Sequence, residues 1–184
     1  MTTRWLTDEE QRTWRLFLTA CQSVFGTIEA QLLRDSGLPH GYYEILVHLS
    51  EAPSRALRMS QLAAASTYSK SRLSHAVSRL EERGLVVRLD CPTDRRGQIA
   101  QLTEQGFAVL EEAAHGHVDQ VRRSLIDVLT PEQVAQLGEI SAAMIAAASG
   151  RPIGSCSEAE AVAEAEAGSG CCGAESDDDG TCPG

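Results

Sequence analysis

The chain has 184 residues and a formal net charge of −10, and it is long enough for one sizeable hydrophobic core. Aromatic residues make up only 4% of it, which together with abundant alanine and leucine favours a helical fold. No export signal opens the chain and no apolar run reaches the length of a membrane span, which excludes a secreted disulfide framework. We therefore expect a cytoplasmic protein without membrane contacts, whose six cysteines are mostly reduced thiols.

The first predicted element is a long N-terminal helix. Thr7 and Glu10 have the spacing of a capping box, and apolar residues then recur at helical intervals to about Arg34. A second helix is predicted to begin near His40 and to close at about Glu51. Because the first helix is apolar over a broad face, it requires a partner to cover that face.

The next segment predicts a helix-turn-helix. Ser60 is the expected N-cap of a short helix, Ser66–Tyr68 forms the turn, and a second helix starts near Ser69 and ends before Gly84. The apolar face of this second helix holds Leu73, Ala76, Val77 and Leu80. The other face holds Arg72, His75 and Arg79, with Ser71, Ser74 and Ser78 beside them. Such a face can reach base edges while its short hydroxyls let the helix approach phosphates.

A basic wing is predicted after this helix. Two β-branched runs, 85–89 and 98–102, read as strands joined by a loop that ends in Arg95 and Arg96. Between Arg55 and Arg96 lie nine basic residues against four acidic ones, a net charge of about +5 in an acidic chain. A polyanion would dock on such a local cationic surface, the alternative being a merely solvated charged face.

Two further helices are predicted at the end of the folded region. Thr103 caps a long one, and Thr130-Pro-Glu-Gln starts a final one that runs to about Ala148. Both carry apolar stripes with little chain to cover them. Association of two copies about a two-fold axis would bury these stripes, and packing within one chain is the alternative.

The composition changes beyond Gly150. Residues 155–184 hold eight acidic residues and no lysine or arginine, which predicts a disordered tail. The tail either keeps the protein in solution or competes with DNA for the basic segment. Its cysteines lack the spacing of a structural zinc site, so neither a metal site nor a cofactor is predicted. They are Cys156, Cys171, Cys172 and Cys182.

Three motifs carry a resemblance to a known family. The helix and strand SRLSHAVSRLEERGLVVR at 71–88, the wing segment DRRG at 94–97 and LTEQG at 102–106 resemble the MarR family of winged-helix transcription regulators. The similarity extends from about Trp5 to about Ala148 and includes the segment Leu38–Glu51. The resemblance implies a mainly α fold with a small β-wing, in which N- and C-terminal dimerisation helices flank a winged helix-turn-helix domain.

The resemblance also implies a function. Members of the family are homodimers that bind a pseudo-palindromic operator in double-stranded DNA, and the resemblance implies the same for this chain. Such proteins usually repress transcription and often release DNA in response to a small aromatic acid or an oxidant. Residues 1–38 would contribute to dimerisation, 39–103 would bind DNA, 104–149 would complete the dimer and 150–184 would form the tail. The expected DNA contacts are Ser69, Lys70, Ser71, Arg72, Ser74, His75, Arg79, Arg95 and Arg96.

Two entry points for a signal remain open. One is a cleft between the DNA-binding lobe and the dimer helices, with Trp14, Arg15, His40 and Tyr43 as expected lining. The other is Cys21 on the first helix, because some members of the family sense peroxides through a cysteine in this helix that is hydrogen-bonded to tyrosines, for which Tyr42 and Tyr43 are the candidates here. Against a redox role, Cys21 falls on the apolar face, where a buried thiol is inert.

Other functions are weaker alternatives. A winged helix can serve as a protein-interaction module, and salt-independent binding would favour that role over DNA. The sequence offers no nucleophile–base pair, phosphate loop or carboxylate pair with convincing spacing, so we do not expect an enzyme. His115 and His117 are two residues apart on a helix, which points their rings apart and argues against a metal site there.

Overall fold

The computed structural model describes residues 2–66, 68–91 and 94–149, without the side chains of residues 94–96 and 149. The chain divides into two compact units, Met1–Thr130 and Pro131–Gly184. The first unit holds α1 (Asp8–Ser36), α2 (His40–Glu51), β1 (Ala56–Arg58), α3 (Met59–Ala65), α4 (Lys70–Glu82), β2 (Val86–Cys91), β3 (Asp94–Leu102) and α5 (Glu104–Val121). The second holds α6 (Pro131–Ser149). This arrangement confirms the predicted mainly α fold with a small β-wing, and the acidic tail and its four cysteines lie outside the described residues.

Helix α1 begins as its sequence predicts but ends at Ser36, two residues beyond the predicted end at about Arg34. Thr7 Oγ1 accepts from the backbone N–H of Glu10 at 3.2 Å, and the Glu10 carboxylate accepts from the Thr7 N–H at 2.8 Å, which confirms the capping box. The helix ends where Gly37 adopts a left-handed conformation, with φ of 65°. Glycine is favoured there because it has no Cβ to clash in that region.

Helix α1 also departs from one expectation. By length and composition alone it could cross a membrane, because an 18-residue window has a mean hydropathy of 1.2. The sequence by itself predicts no apolar run of that length. Core helices pass the same test, so the criterion by itself is weak support for a membrane span.

The helix-turn-helix forms from α3 and α4. The prediction that Ser60 caps α3 is wrong, because the helix begins two residues earlier, at Met59, and Arg58 occupies the N-cap position. Its first turn is held by the Gln61 side chain, which accepts from the Arg58 backbone N–H at 3.0 Å. Ser69 does cap α4, accepting from the Arg72 N–H at 3.5 Å, and Gly84 ends the segment with φ of 72°.

The wing is a three-stranded antiparallel sheet in the order β1-β3-β2. The sequence predicts β2 and β3 but not β1, which pairs Ala56 with Gln101 and Arg58 with Ile99. With only three residues, β1 is too short for a period-2 pattern to be recognised. It forms because β3 offers a free edge next to it.

One hydrophobic core joins α1, α2, α4, α5 and the sheet. The predicted apolar face of α4 is buried in it, and Leu73, Val77 and Leu80 are at most 1% exposed. These residues fix α4 against α2 and β2, so the opposite face of the helix points to solvent. The largest fully buried side chains are Leu32, Leu38, Ile45, Leu46, Leu49, Leu62, Leu73, Leu80, Leu85, Val77 and Val86.

Candidate nucleic-acid interface

The outer face of α4 is the centre of the candidate site. Lys70, Arg72, His75 and Arg79 are all exposed on it, at the spacing that the sequence predicts. Within the part of the chain that the structure describes, the side chains of Lys70, Arg72 and His75 form no hydrogen bond or ion pair. Their donors are therefore available to a ligand such as a base edge or a phosphate.

The serines expected to approach DNA have different environments. Ser69 Oγ lies 3.3 Å from Ser71 Oγ at the start of α4, where both are exposed. Ser74 is also exposed, whereas Ser78 is partly buried because its hydroxyl contacts the Arg88 guanidinium. Ser78 is therefore occupied within the protein.

Arg79 differs from the other cations because it carries a partner. Glu82 accepts a hydrogen bond from it, and this bond raises the pKa of the Arg79 guanidinium above its usual range. Both side chains are more than half exposed, so the pair is solvated and its ions can separate at little cost.

Several basic residues of the segment from Arg55 to Arg96 contact groups within the protein itself. The Arg55 guanidinium lies 3.8 Å from the centre of the Phe107 ring and 3.2 Å from the Glu104 carboxylate. Arg83 donates to the backbone carbonyl of Gly37 at 3.1 Å, which ties the end of α4 to the α1–α2 connection. The sequence count therefore overstates the charge available to DNA, because these guanidinium groups already have partners.

Arg95 and Arg96 lie at the start of β3, where Asp94 pairs with Cys91 beside an irregularity in the ladder. The two residues at the turn between the strands are outside the described residues. The backbone thus carries both arginines at the end of the wing, but within β3, which begins at Asp94, and not in the connecting loop that the sequence predicts.

The turn before α4 is anchored to the first turn of α2. A Cβ atom at Gly41 would overlap the Tyr68 hydroxyl, so the tyrosine ring packs directly on the glycine backbone. Burial of this ring raises the pKa of Tyr68. Since Tyr68 immediately precedes the N-cap Ser69, α2 and the start of α4 are in direct mechanical contact.

An aromatic cluster lies at the N-terminal end of α2. The His117 ring of α5 is 4.5 Å from the Tyr43 ring and 6.0 Å from the His40 ring, measured between centroids. The Phe25 ring of α1 meets His40 edge-on at 6.0 Å. Burial, and then the nearby His40, lower the pKa of His117. The cluster is therefore a set of four rings in which burial disfavours the charged form of His117.

The predicted ligand-pocket residues separate into two groups. His40 and Tyr43 belong to the aromatic cluster, whereas Trp14 stacks on Phe17 with ring centroids 6.1 Å apart. Arg15 lines a different cavity, together with Asp8 and Thr19. Trp14 is eleven residues before Phe25 on the same helix, a distance of about 16 Å along its axis. One chain therefore does not bring the four predicted residues together.

The structure changes the account of Cys21. The thiol is free and only partly buried, rather than fully buried on the apolar face. It lies one helical turn before Phe25, and among the described residues it makes no hydrogen bond to Tyr42 or Tyr43. A redox role for Cys21 stays a prediction.

The fold has counterparts among known proteins. A sequence model described as the MarR family matches residues 36–97. The crystal structure of Sco3205 from Streptomyces coelicolor, a MarR family transcriptional regulator in complex with DNA, is 50% identical to this chain with a TM-score of 0.77. The match covers 79% of this chain and 91% of Sco3205. The chain belongs to the MarR family.

Other MarR-type regulators extend this result. AbsC from the same organism is 43% identical with a TM-score of 0.76, and the match covers 81% of this chain and all of AbsC. The HTH-type regulator MhqR of Bacillus subtilis is 30% identical over 97 residues, which span 53% of this chain and 63% of MhqR. The chain thus matches less than two thirds of that curated relative, but members of the family are DNA-binding transcription regulators, and this chain is one.

Sequence reasoning missed two residues of this MarR-family protein. The spacing of His115 and His117 argues only against a metal site, although His117 continues the inner stripe of α5 that contains Leu110 and Ala113. Its position on that stripe was the available signal. Gly41 gave no local signal, because its role depends on Tyr68, which is 27 positions further along the chain.

Proposed function

We propose that the protein acts as a homodimer that binds a pseudo-palindromic operator and represses transcription. In this proposal α4 enters the major groove, where Arg72, His75 and Arg79 read base edges, and Arg95 or Arg96 enters the adjacent minor groove. The observation that carries it is the exposed face of α4, on which Lys70, Arg72 and His75 have unengaged donors within the described part of the chain. The DNA complex of Sco3205, at 50% identity, supports the same ligand.

A second copy is the proposed partner of the apolar surface on α1. Trp14, Leu16 and Phe25 are each at least half exposed on this helix, an unusual amount for large apolar side chains. On α6, Ile140 and Ile145 are more than half exposed as well. We assign dimerisation to residues 1–38 and 104–149, and DNA binding to residues 39–103, in the cytoplasm where the DNA lies. Two copies would place two α4 helices about 34 Å apart, one per turn of the operator.

We further propose that a small aromatic acid modulates DNA binding at the aromatic cluster. Phe25 and Tyr43 supply apolar ring surfaces, and the imidazoles of His40 and His117 supply donors for a carboxylate. His40 opens α2, and the next residue, Gly41, contacts Tyr68 just before α4. A ligand that moved the first turn of α2 would therefore also move the start of α4.

The test combines oligomeric state with DNA binding. Light scattering after size exclusion measures the mass in solution, and selection from genomic fragments identifies the bound duplex. We expect a dimer whose affinity falls steeply as salt rises, since phosphate contacts release counterions. A monomer at micromolar concentration without affinity for duplexes at low salt would refute the proposal.

The effector is tested separately with benzoate and salicylate as probes. We expect one of them to weaken operator binding in the wild type, and to lose this effect in the His117→Ala variant. Release of the operator by peroxide in the wild type, but not in the Cys21→Ser variant, would favour the redox alternative instead. Binding that no aromatic acid changes would exclude the proposed effector class.

A further inference from the structure

Arg88, on the wing strand β2, is bound along one flank of α4. We infer that Arg88 is a positioning residue that fixes the rotation of α4 about its own axis. Through this rotation it determines the affinity for the specific DNA sequence, while the affinity for non-specific DNA does not depend on it. This inference rests on the proposed function, in which α4 reads bases in the major groove.

Three α4 residues receive contacts from Arg88. Its Nη2 donates to the Ser74 backbone carbonyl at 3.1 Å and also to the Ser78 hydroxyl. Its Nε lies 3.4 Å from Glu81 Oε2, an ion-pair distance without hydrogen-bond geometry. The backbone N–H of Arg88 donates to the other Glu81 oxygen at 3.2 Å. One residue of the wing thus holds two successive turns of the helix.

The position of Arg88 makes it a poor direct contact for DNA. Its side chain is only 19% exposed, whereas the side chain of Arg79 on the outer face of α4 is 68% exposed. The Glu81 carboxylate already balances its charge, and Nη2 is directed at α4. Arg88 therefore contributes to binding through the helix it holds.

The three contacted residues define one flank of α4. Ser74, Ser78 and Glu81 follow at i, i+4 and i+7, next to the stripe that carries Arg72, His75 and Arg79. The outer radius of a helix with its side chains is about 5–6 Å, so a rotation of about 20° moves a side-chain tip by about 2 Å. Hydrogen bonds to base edges do not survive such a shift, whereas the attraction between exposed cations and phosphates changes little.

Substitution of Arg88 by lysine or by methionine distinguishes its role in holding α4 from the effect of its positive charge. Lysine keeps the charge, but its single ammonium cannot span Ser74, Ser78 and Glu81 as a guanidinium does. Methionine keeps the length and removes both charge and donors. Arg123→Gln is the matched control, because Arg123 is 71% exposed and its ion pair is with Asp119 on α5.

The experiment measures affinity for two duplexes of equal length. One is selected from a randomised library by the wild-type protein, and the other is a scrambled version of it. We expect Arg88→Lys and Arg88→Met to bind the selected duplex about tenfold more weakly than the wild type does. Their affinity for the scrambled duplex, and its salt slope (the change of log affinity with log salt concentration), should stay within twofold of wild type. Arg123→Gln should keep the wild-type ratio between the two duplexes.

Other outcomes overturn the inference in distinct ways. If Arg88→Lys behaves as wild type while Arg88→Met loses about one unit of salt slope on both duplexes, Arg88 is a phosphate contact. If both variants keep the wild-type ratio, the helix needs no such support and the proposed function stands. If the wild type itself does not distinguish the duplexes, the proposed function fails, and the inference fails with it.

A smaller change covers the case in which Arg88→Met does not fold. Ser78→Ala removes one acceptor of the contact from α4 while it leaves every charge in place, and alanine is compatible with a helix. We expect the ratio of specific to non-specific affinity to fall about threefold, with an unchanged melting temperature. A folded Ser78→Ala protein with the full wild-type ratio, alongside an unaffected Arg88→Lys, contradicts the assignment.

Discussion

On the exposed face of α4, Nη1 of Arg79 donates a 2.8 Å hydrogen bond to Oε2 of Glu82. The guanidinium that is proposed to read a base is therefore already held by a carboxylate one turn further along the helix. A base edge that needs the Nη1 donor of Arg79 therefore competes with this carboxylate. Glu82 also places a negative charge where phosphates would approach.

We predict that Glu82→Gln strengthens DNA binding. The substitution removes one negative charge from the face and releases Arg79, so affinity should rise about threefold to tenfold at low salt. The gain should shrink as salt screens the remaining charges. Fluorescence anisotropy with a labelled duplex measures it, and Glu111→Gln on α5 is the control of equal charge. Equal affinity of Glu82→Gln and the wild type at low salt would contradict the prediction.

Changes on α4 and on the wing should have different effects. Arg72→Ala, His75→Ala and Arg79→Ala remove donors to base edges, so each should alter the preferred sequence and weaken the selected site, about tenfold for the arginines. Arg95→Ala should weaken all sequences evenly and lower the salt slope by about one. Binding-site selection with each variant is the measurement. An unchanged preferred sequence for Arg79→Ala would remove that residue from base recognition.

Gly41→Ala should destabilise the DNA-binding domain through Tyr68. The new Cβ would overlap the tyrosine hydroxyl, so we expect a loss of about 1–3 kcal/mol in the free energy of unfolding. Gly138→Ala on α6 is the control, because nothing lies within 4 Å of its added Cβ, and it should stabilise slightly. Chemical denaturation measures both variants. A Gly41→Ala, Tyr68→Ala double variant should recover part of the loss, and strictly additive effects would show that the two residues do not interact.

His117 should make the stability of the fold depend on pH. Its pKa in the folded protein lies below the ordinary value of 6.5 because burial and then His40 disfavour the charged form. The unfolded chain therefore binds this proton more readily, so stability falls as pH drops below about 6.5 and is retained at higher pH. Carboxylates also titrate at low pH, so the informative quantity is the difference between variants.

Thermal melts from pH 7.5 to pH 5.5 measure this effect. The melting temperature should fall less steeply with acid in His117→Asn than in the wild type, whatever the change in absolute stability at neutral pH. His115→Asn, on an exposed position of the same helix, should keep the wild-type slope. Parallel melting curves for all three proteins would show that His117 does not titrate in this range.

Much of the candidate site can be predicted from local sequence because a helix repeats every 3.6 residues. The assignment of Leu73, Val77 and Leu80 to the core and of Arg72 and His75 to the surface needs no knowledge of the rest of the chain. The caps at Thr7, Ser69 and Thr103 are equally local, since each hydrogen bond spans three residues. These features specify a helix-turn-helix with a cationic outer face.

The tertiary structure alone decided which cations have partners within the protein and which rings meet. Arg55, Arg83 and Arg88 have the same charge as Arg72, but they bind Phe107, Gly37 and Ser74 across 14 to 52 positions of sequence. The contact between His40 and His117 likewise depends on how α5 crosses α2. Periodicity specifies which face of a helix is buried, but the partner on that face is set by the packing of the whole core.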